Sequence, residues 1–265
     1  LSSITPDKNS FVVINQFNPD GGMTGGFSII EKNGDNSWHF PNPLHISHFY
    51  TNSPDVSLTM NINGDALITS MARDDAMGRN DLFVSFLISE NLWGNPINLG
   101  SVVNSTGHEI SPYLMDDNIT MYYASDRPGS TGGMDIYKTV RLDGTWLNWS
   151  VPEKLPYPIN SRSDDSHPCF NAATGYLYFC SKRKGTSDIY RCKTDAPKPM
   201  VAQIQGSVYD IVSGKKMDAN IVLRNVEKST VEYRIKSENG YYEVKLPYAS
   251  RYELVASKDS FNQVE

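Results

Sequence analysis

The chain has 265 residues, with 24 Lys and Arg against 30 Asp and Glu, for a net charge of −6. Residues 1–195 hold 14 basic and 21 acidic groups, and residues 196–265 hold 10 and 9, so neither part carries the basic stripe that a phosphate backbone needs. No apolar run approaches the roughly 20 residues of a membrane span, so nucleic acid and a direct helical membrane span are both excluded as expectations.

One phrase recurs down the first 195 residues. Asp81-Leu82-Phe83, Asp135-Ile136-Tyr137 and Asp188-Ile189-Tyr190 stand 54 and 53 residues apart. The openings of the units keep the same step, with Pro6, Leu58, Pro112 and Pro168 spaced by 52, 54 and 56. A strand-built period near fifty residues predicts an all-β chain organised as a β-propeller of about 54 residues per blade.

The first unit runs from Ile4-Thr5-Pro6 through strands at 11–16 and 27–30 to Trp38. The second has strands at 56–60, 66–70 and 81–87, then Trp93. The third opens at 110–115 and continues at 119–124, where Ile-Thr-Met-Tyr-Tyr-Ala is rich in β-branched and aromatic residues. A Gly- and Pro-bearing loop at 125–133 leads to a strand at 135–140. An irregular outer strand at 146–155 follows, containing Trp146 and Trp149. The fourth unit has strands at 167–170, 176–181 and 188–192 and no outer strand. Known propellers close with about 4–8 blades, so the pattern predicts a truncated ring. Its fourth blade is expected to be completed from outside the repeat, most simply from upstream of Leu1.

Residues 196–201 form a Pro-rich linker, after which the pattern changes. Strands at 204–210, 219–225, 231–236, 241–246 and 251–256, with a hairpin signal at Glu238-Asn239-Gly240, predict a small antiparallel β-sandwich over 202–265.

The three repeated aspartates, Asp81, Asp135 and Asp188, invite a catalytic or metal reading. Their repetition on successive blades argues instead for N–H acceptance in a tight turn, with Tyr137 and Tyr190 as motif positions in the strands that follow. Asp74, Asp75 and Asp81 match no standard calcium loop. The five histidines show no ligand spacing, and the composition implies no cofactor. Cys169, Cys180 and Cys192 read either as small buried hydrophobes or as a pair bridged across a hairpin. Trp146 and Trp149 lie near a blade edge, so at least one of them is expected to mark an exposed interaction surface.

Ser125-Asp126-Arg127-Pro128-Gly129 with Gly132-Gly133-Met134-Asp135-Ile136-Tyr137, echoed by Ser181-Lys182-Arg183-Lys184-Gly185 with Asp188-Ile189-Tyr190, resembles the TolB-like propeller repeats, relatives of the WD repeat. Gly26-Phe27 departs from the pattern in the first unit. Gly206-Ser207-Val208-Tyr209-Asp210, Gly214, Ala219-Asn220-Ile221-Val222-Leu223, Asn239-Gly240-Tyr241-Tyr242 and Tyr252-Glu253-Leu254 resemble the carboxypeptidase-regulatory-like domain, a transthyretin-like sandwich that is non-catalytic in its family. The order of propeller then sandwich resembles the periplasmic OmpA-family proteins of the Bacteroidetes, one of which anchors the type IX secretion system. The resemblance implies a non-catalytic scaffold in the periplasm, associated with the outer membrane, whose partners are envelope proteins. Peptidoglycan would be reached only through a domain absent from these residues. The rival expectation is a glycan-binding or glycoside-hydrolysing propeller that uses its central mouth.

Overall fold

The computed structural model describes residues 3–5, 9–34, 37–194, 201–226, 230–247 and 251–258. Pro6 and nearly all of the Pro-rich linker lie outside these residues.

The described chain is all strand and loop. In chain order the strands are β1 (Ser3–Ile4), β2 (Ser10–Phe17), β3 (Met23–Glu31), β4 (Asn42–Ile46), β5 (Ser57–Met60), β6 (Ala66–Met71), β7 (Asp81–Ser89), β8 (Leu92–Trp93) and β9 (Ile97–Asn98). They continue as β10 (Glu109–Leu114), β11 (Thr120–Ser125), β12 (Asp135–Val140), β13 (Glu153–Lys154), β14 (Asp165–Asn171), β15 (Tyr176–Ser181) and β16 (Asp188–Lys193). The last five are β17 (Val201–Ser207), β18 (Asn220–Asn225), β19 (Thr230–Lys236), β20 (Tyr241–Pro247) and β21 (Tyr252–Ser257).

The first sixteen strands make four antiparallel blades of a β-propeller. The third is β10-β11-β12-β13, and the fourth is β14-β15-β16. Trp38, where the sequence ends the first unit, bridges antiparallel to Lys32, and the outer strand that follows is β4, which pairs antiparallel with β3 and parallel with β8, joining the first two blades at their outer edges. The Asn91 side chain donates to the Pro43 carbonyl across that seam at 2.8 Å.

Proline explains a shape shared by two inner strands. Pro112 and Pro168 have no N–H to give to the ladder. The register of β10 shifts between Ile110 and Tyr113, and that of β14 between Ser166 and Cys169. At each bulge the residue before the proline has positive φ, 52° at Ser111 and 53° at His167. In β5, where Leu58 stands in place of proline, the ladder runs without a shift.

The blades stack through three apolar cores. One gathers Val12, Phe27, Leu44, Leu58 and Leu67 between the first and second blades. A second gathers Ile68, Leu82, Val84, Leu99, Met121 and Tyr123 between the second and third. A third gathers Tyr122, Ile136, Leu155, Phe170 and Leu177 between the third and fourth. A separate core of Ile221, Leu223, Tyr233, Val244 and Leu246 lies within β18–β20.

The correction that bears most on function concerns the two tryptophans. Trp146 is 6% exposed and Trp149 3% exposed, both in the core between the second and third blades. Trp146 adopts φ 66°, and its ring lies under the Arg141 guanidinium, 4.5 Å from the ring centre. Trp149 donates its indole N–H to the Trp146 carbonyl at 2.8 Å. Neither forms an exposed surface, and an exposed aromatic, Tyr157, stands two residues past this run.

The cysteines are all free, so no hairpin disulfide forms. Cys192 packs against the core of the last two blades, whereas Cys169 is exposed, against the buried-hydrophobe reading.

Close approach fixes two glycines. A Cβ on Gly78 would lie 2.0 Å from the Gly107 carbonyl oxygen, and one on Gly132 would lie 2.3 Å from the Arg162 carbonyl carbon. Each glycine lets the loop before a repeated aspartate press against the connection into the next blade. Gly132→Ala should therefore lower stability by about 1–3 kcal/mol through overpacking, measured by urea denaturation.

Candidate functional site

The polar residues shared by the repeats converge at the junctions between blades, and their partners repeat from one junction to the next. Asp81 accepts hydrogen bonds from the Met77 N–H at 2.8 Å, the Gly78 N–H at 3.1 Å and the Asn98 side-chain amide at 2.8 Å. Asp135 accepts from the Thr131 N–H and lies 3.9 Å from Lys154 Nζ. Lys154 faces Tyr137 as Asn98 faces Phe83, so the two are equivalent in register. Asp188 is exposed, and among the described residues its carboxyl accepts from the Thr186 hydroxyl at 3.2 Å. The aspartates are thus spread over three blades, each serving its own turn.

Burial raises the Asp135 carboxyl above its usual range, against the hydrogen bond from Thr131 and the Lys154 charge, which lower it. A group raised in the folded state favours folding below its ordinary pKa and loses that contribution as pH rises through the folded value. Asp135→Ala should cost about 1–3 kcal/mol by leaving the turn N–H without its acceptor. That cost should shrink as pH rises past the ordinary carboxylate value, measured by urea denaturation at a series of pH values.

A second constellation was only partly visible in the sequence. The buried Glu109 accepts from the Ser105 N–H at 2.9 Å, the Ser105 hydroxyl at 2.6 Å, the Ser125 hydroxyl at 2.6 Å and Arg127 Nη2 at 3.3 Å. One blade on, the buried Asp165 accepts from the Ser161 N–H at 2.6 Å, the Ser161 hydroxyl at 2.8 Å and Arg183 Nη2 at 2.8 Å. The arginines also stack on the motif aromatics. Arg127 lies 4.9 Å from the Tyr137 ring centre, Arg183 4.7 Å from Tyr190 and Arg73 5.5 Å from Phe83. The signal was present in the sequence: Arg stands two residues after the end of the second strand in all three units, as Arg73, Arg127 and Arg183.

Asparagine supplies a third repeated bond. The Asn104 side chain accepts the Leu82 N–H at 2.8 Å and donates to the Leu82 carbonyl at 3.0 Å. Asn160 does the same to Ile136, at 2.7 and 2.9 Å. A side-chain amide offers one donor and one acceptor side by side, so each asparagine stands in for a strand partner on the third strand, β7 or β12, of the preceding blade. Inner strands are joined as well. Ser3 Oγ accepts the Met60 N–H at 3.2 Å, Thr59 Oγ1 accepts the Leu114 N–H at 3.3 Å, and the Tyr113 hydroxyl donates to the Phe170 carbonyl at 2.8 Å.

These groups are engaged in holding blades together, and their chemistry is that of structural junctions. Among the described residues no three His, Cys, Asp or Glu side chains are placed to hold a metal ion. A cleft of about 250 Å³ lined by Asn61, Asp65, Trp146 and Arg234, among others, contains one acidic side chain. Burial raises the Asp65 carboxyl, against the hydrogen bond it receives from Asn61 at 2.6 Å.

The exposed apolar surface lies elsewhere. Ile189 is 78% exposed, although its equivalents Leu82 and Ile136 are fully buried. On the sandwich, Ile211 and Val212 are almost wholly exposed in the turn after β17.

No family model matches the chain, and no curated protein matches it either. Solved structures give a distant likeness. TolB from Acinetobacter baumannii aligns at 13% identity and TM-score 0.46, over 73% of this chain and 40% of its own. Sucrose-6-phosphate hydrolase from Lactobacillus gasseri aligns at 13% identity and TM-score 0.47, over 96% of this chain and 62% of its own. An alpha-L-arabinanase from Penicillium chrysogenum, solved with arabinobiose, aligns at 13% identity and TM-score 0.44, over 98% of this chain and 83% of its own.

Proposed function

We propose that this chain is a non-catalytic scaffold that docks other proteins of the cell envelope. In this reading the propeller offers a rigid platform, and residues 202–265 form a separate sandwich module. One observation carries it: the polar residues that repeat from blade to blade are each engaged in bonds that hold the blades together, while apolar side chains such as Ile211 and Val212 stand open to solvent. Surface of that kind favours contact with protein. The periplasmic and outer-membrane setting, with a place in a type IX secretion assembly, rests on the resemblance carried by the Ser125–Tyr137 phrase and the Gly206–Asp210 strand.

The test is affinity capture of the tagged chain from its native envelope, run beside a panel of glycosides, peptides and phosphoesters. The expected result is stoichiometric recovery of outer-membrane or periplasmic proteins with no turnover. Turnover that one carboxylate substitution in the propeller mouth abolishes would overturn the reading and favour a glycoside-acting propeller.

A further inference from the structure

Four segments far apart in sequence meet around the cleft of about 250 Å³. The turn between β5 and β6 brings Asn61 and Asp65, the second half of β7 brings Phe86 and Leu87, the run after β12 brings Trp146, and β19 brings Arg234. Asn61 fixes the turn that carries the acid. Its side-chain oxygen accepts the Asp65 and Ala66 N–H groups, each at 3.0 Å, and its amide donates to Asp65 Oδ1 at 2.6 Å. The Leu87 N–H donates to the Asp65 carbonyl at 3.0 Å, which ties the turn to the apolar wall. Phe86 stands edge-on to Trp146 at 6.4 Å, and Phe86 and Leu87 are both partly exposed.

The cleft carries one lining charge of each sign, Asp65 and Arg234. Arg234 is exposed, and among the described residues it enters no ion pair. Arg141, whose charge also acts on Asp65, gives its N–H groups to the Asn118 and Asp143 carbonyls at 2.9 and 2.6 Å and stacks on Trp146. Burial raises the Asp65 carboxyl above its ordinary value, and a cation placed beside it would favour the charged form. Pockets for drug-sized ligands measure roughly 300–1,000 Å³. The cleft lies below that range and takes a smaller molecule.

We propose that this cleft binds a free α-amino acid with an apolar side chain. The ligand's ammonium pairs with Asp65 Oδ2, its carboxylate pairs with the Arg234 guanidinium, and its side chain lies against Phe86 and Leu87. A small molecule with opposite charges at one end and an apolar group at the other matches a cleft with one acid, one base and an apolar wall. A neutral sugar would neutralise neither charge. Asp65 belongs to the second blade and Arg234 to β19, so the bound amino acid bridges the propeller and the segment that follows it. The site is separate from the docking function proposed above, and neither depends on the other.

The test titrates the 265-residue protein with L-leucine by isothermal calorimetry. Isoamylamine, which lacks the carboxylate, N-acetyl-L-leucine, which lacks the ammonium, and glucose are titrated beside it. L-leucine is expected to bind saturably with a Kd of about 1 mM or tighter. Loss of either charged group from the ligand should weaken binding by about tenfold or more. Arg234→Ala should weaken L-leucine by the same factor and leave isoamylamine unchanged, because both changes remove one interaction. Asp65→Asn should likewise weaken L-leucine and leave N-acetyl-L-leucine unchanged. Arg234 is exposed, so Arg234→Ala should keep the melting curve of the parent protein. Three outcomes overturn the proposal: an L-leucine Kd weaker than about 1 mM or no saturation, equal binding of L-leucine and isoamylamine, or tighter binding of glucose than of L-leucine.

Discussion

Replacing Arg127 with alanine should lower the stability of the propeller by about 3–5 kcal/mol, the cost of leaving a buried carboxylate without its charged partner. Glu109 is fully buried, and Arg127 is its cationic partner at 3.3 Å. The same guanidinium donates to the Val103 carbonyl and covers the rings of Tyr123 and Tyr137. Its removal takes away a charge, a hydrogen bond and a packing surface together. Arg127→Lys should not restore stability, because an ammonium cannot reach carboxylate and carbonyl while stacking flat on a ring. Adding Glu109→Gln to Arg127→Ala should recover part of the loss by removing the stranded charge. Urea denaturation of the wild type, Arg127→Ala, Glu109→Gln and the double variant measures the coupling.

The second large effect is a contrast between two equivalent isoleucines. Ile136→Ala should cost about 2–5 kcal/mol through lost burial and the cavity left behind. Ile136 is fully buried between the third and fourth blades, in the core that holds Leu155 and Phe170. Ile189→Ala removes the same atoms from the same motif position and should change stability by about 0.5 kcal/mol or less, as an exposed site does. Two similar costs would mean that Ile189 is covered in solution.

Much of this architecture was legible in the sequence because its signals are local. The β-branched and aromatic residues of Ile-Thr-Met-Tyr-Tyr-Ala mark β11, and the Asp-aliphatic-aromatic phrase marks the starts of β7, β12 and β16. The turn role of Asp81 followed from repetition alone, since a ring sets equivalent residues apart. Asp188 carries the same letters but has no neighbouring blade beside it among the described residues, so its surroundings could not be read from the motif.

What escaped reading depends on contacts between segments distant in sequence. The burial of Trp146 and Trp149 comes from a run folding back over the second and third blades, with Phe86 edge-on to Trp146 at 6.4 Å. Proline and polar residues in that run suggest an exposed edge, and nothing local contradicts them. The parallel pairing of β4 with β8 joins residues nearly fifty apart and leaves no periodic trace. The arginine platforms were legible as letters but not as a role, because an arginine two residues past a strand end gains its meaning only when Glu109 or Asp165 arrives from the connection.

The central claim, that the repeated polar residues hold the blades together, is tested most directly by hydrogen exchange across Asp135–Val140 in the wild type and in Asn160→Ala. The Asn160 side chain bridges the Ile136 N–H and carbonyl, so the account predicts marked speeding of exchange at Ile136 in the variant. Unchanged exchange across that strand would contradict it.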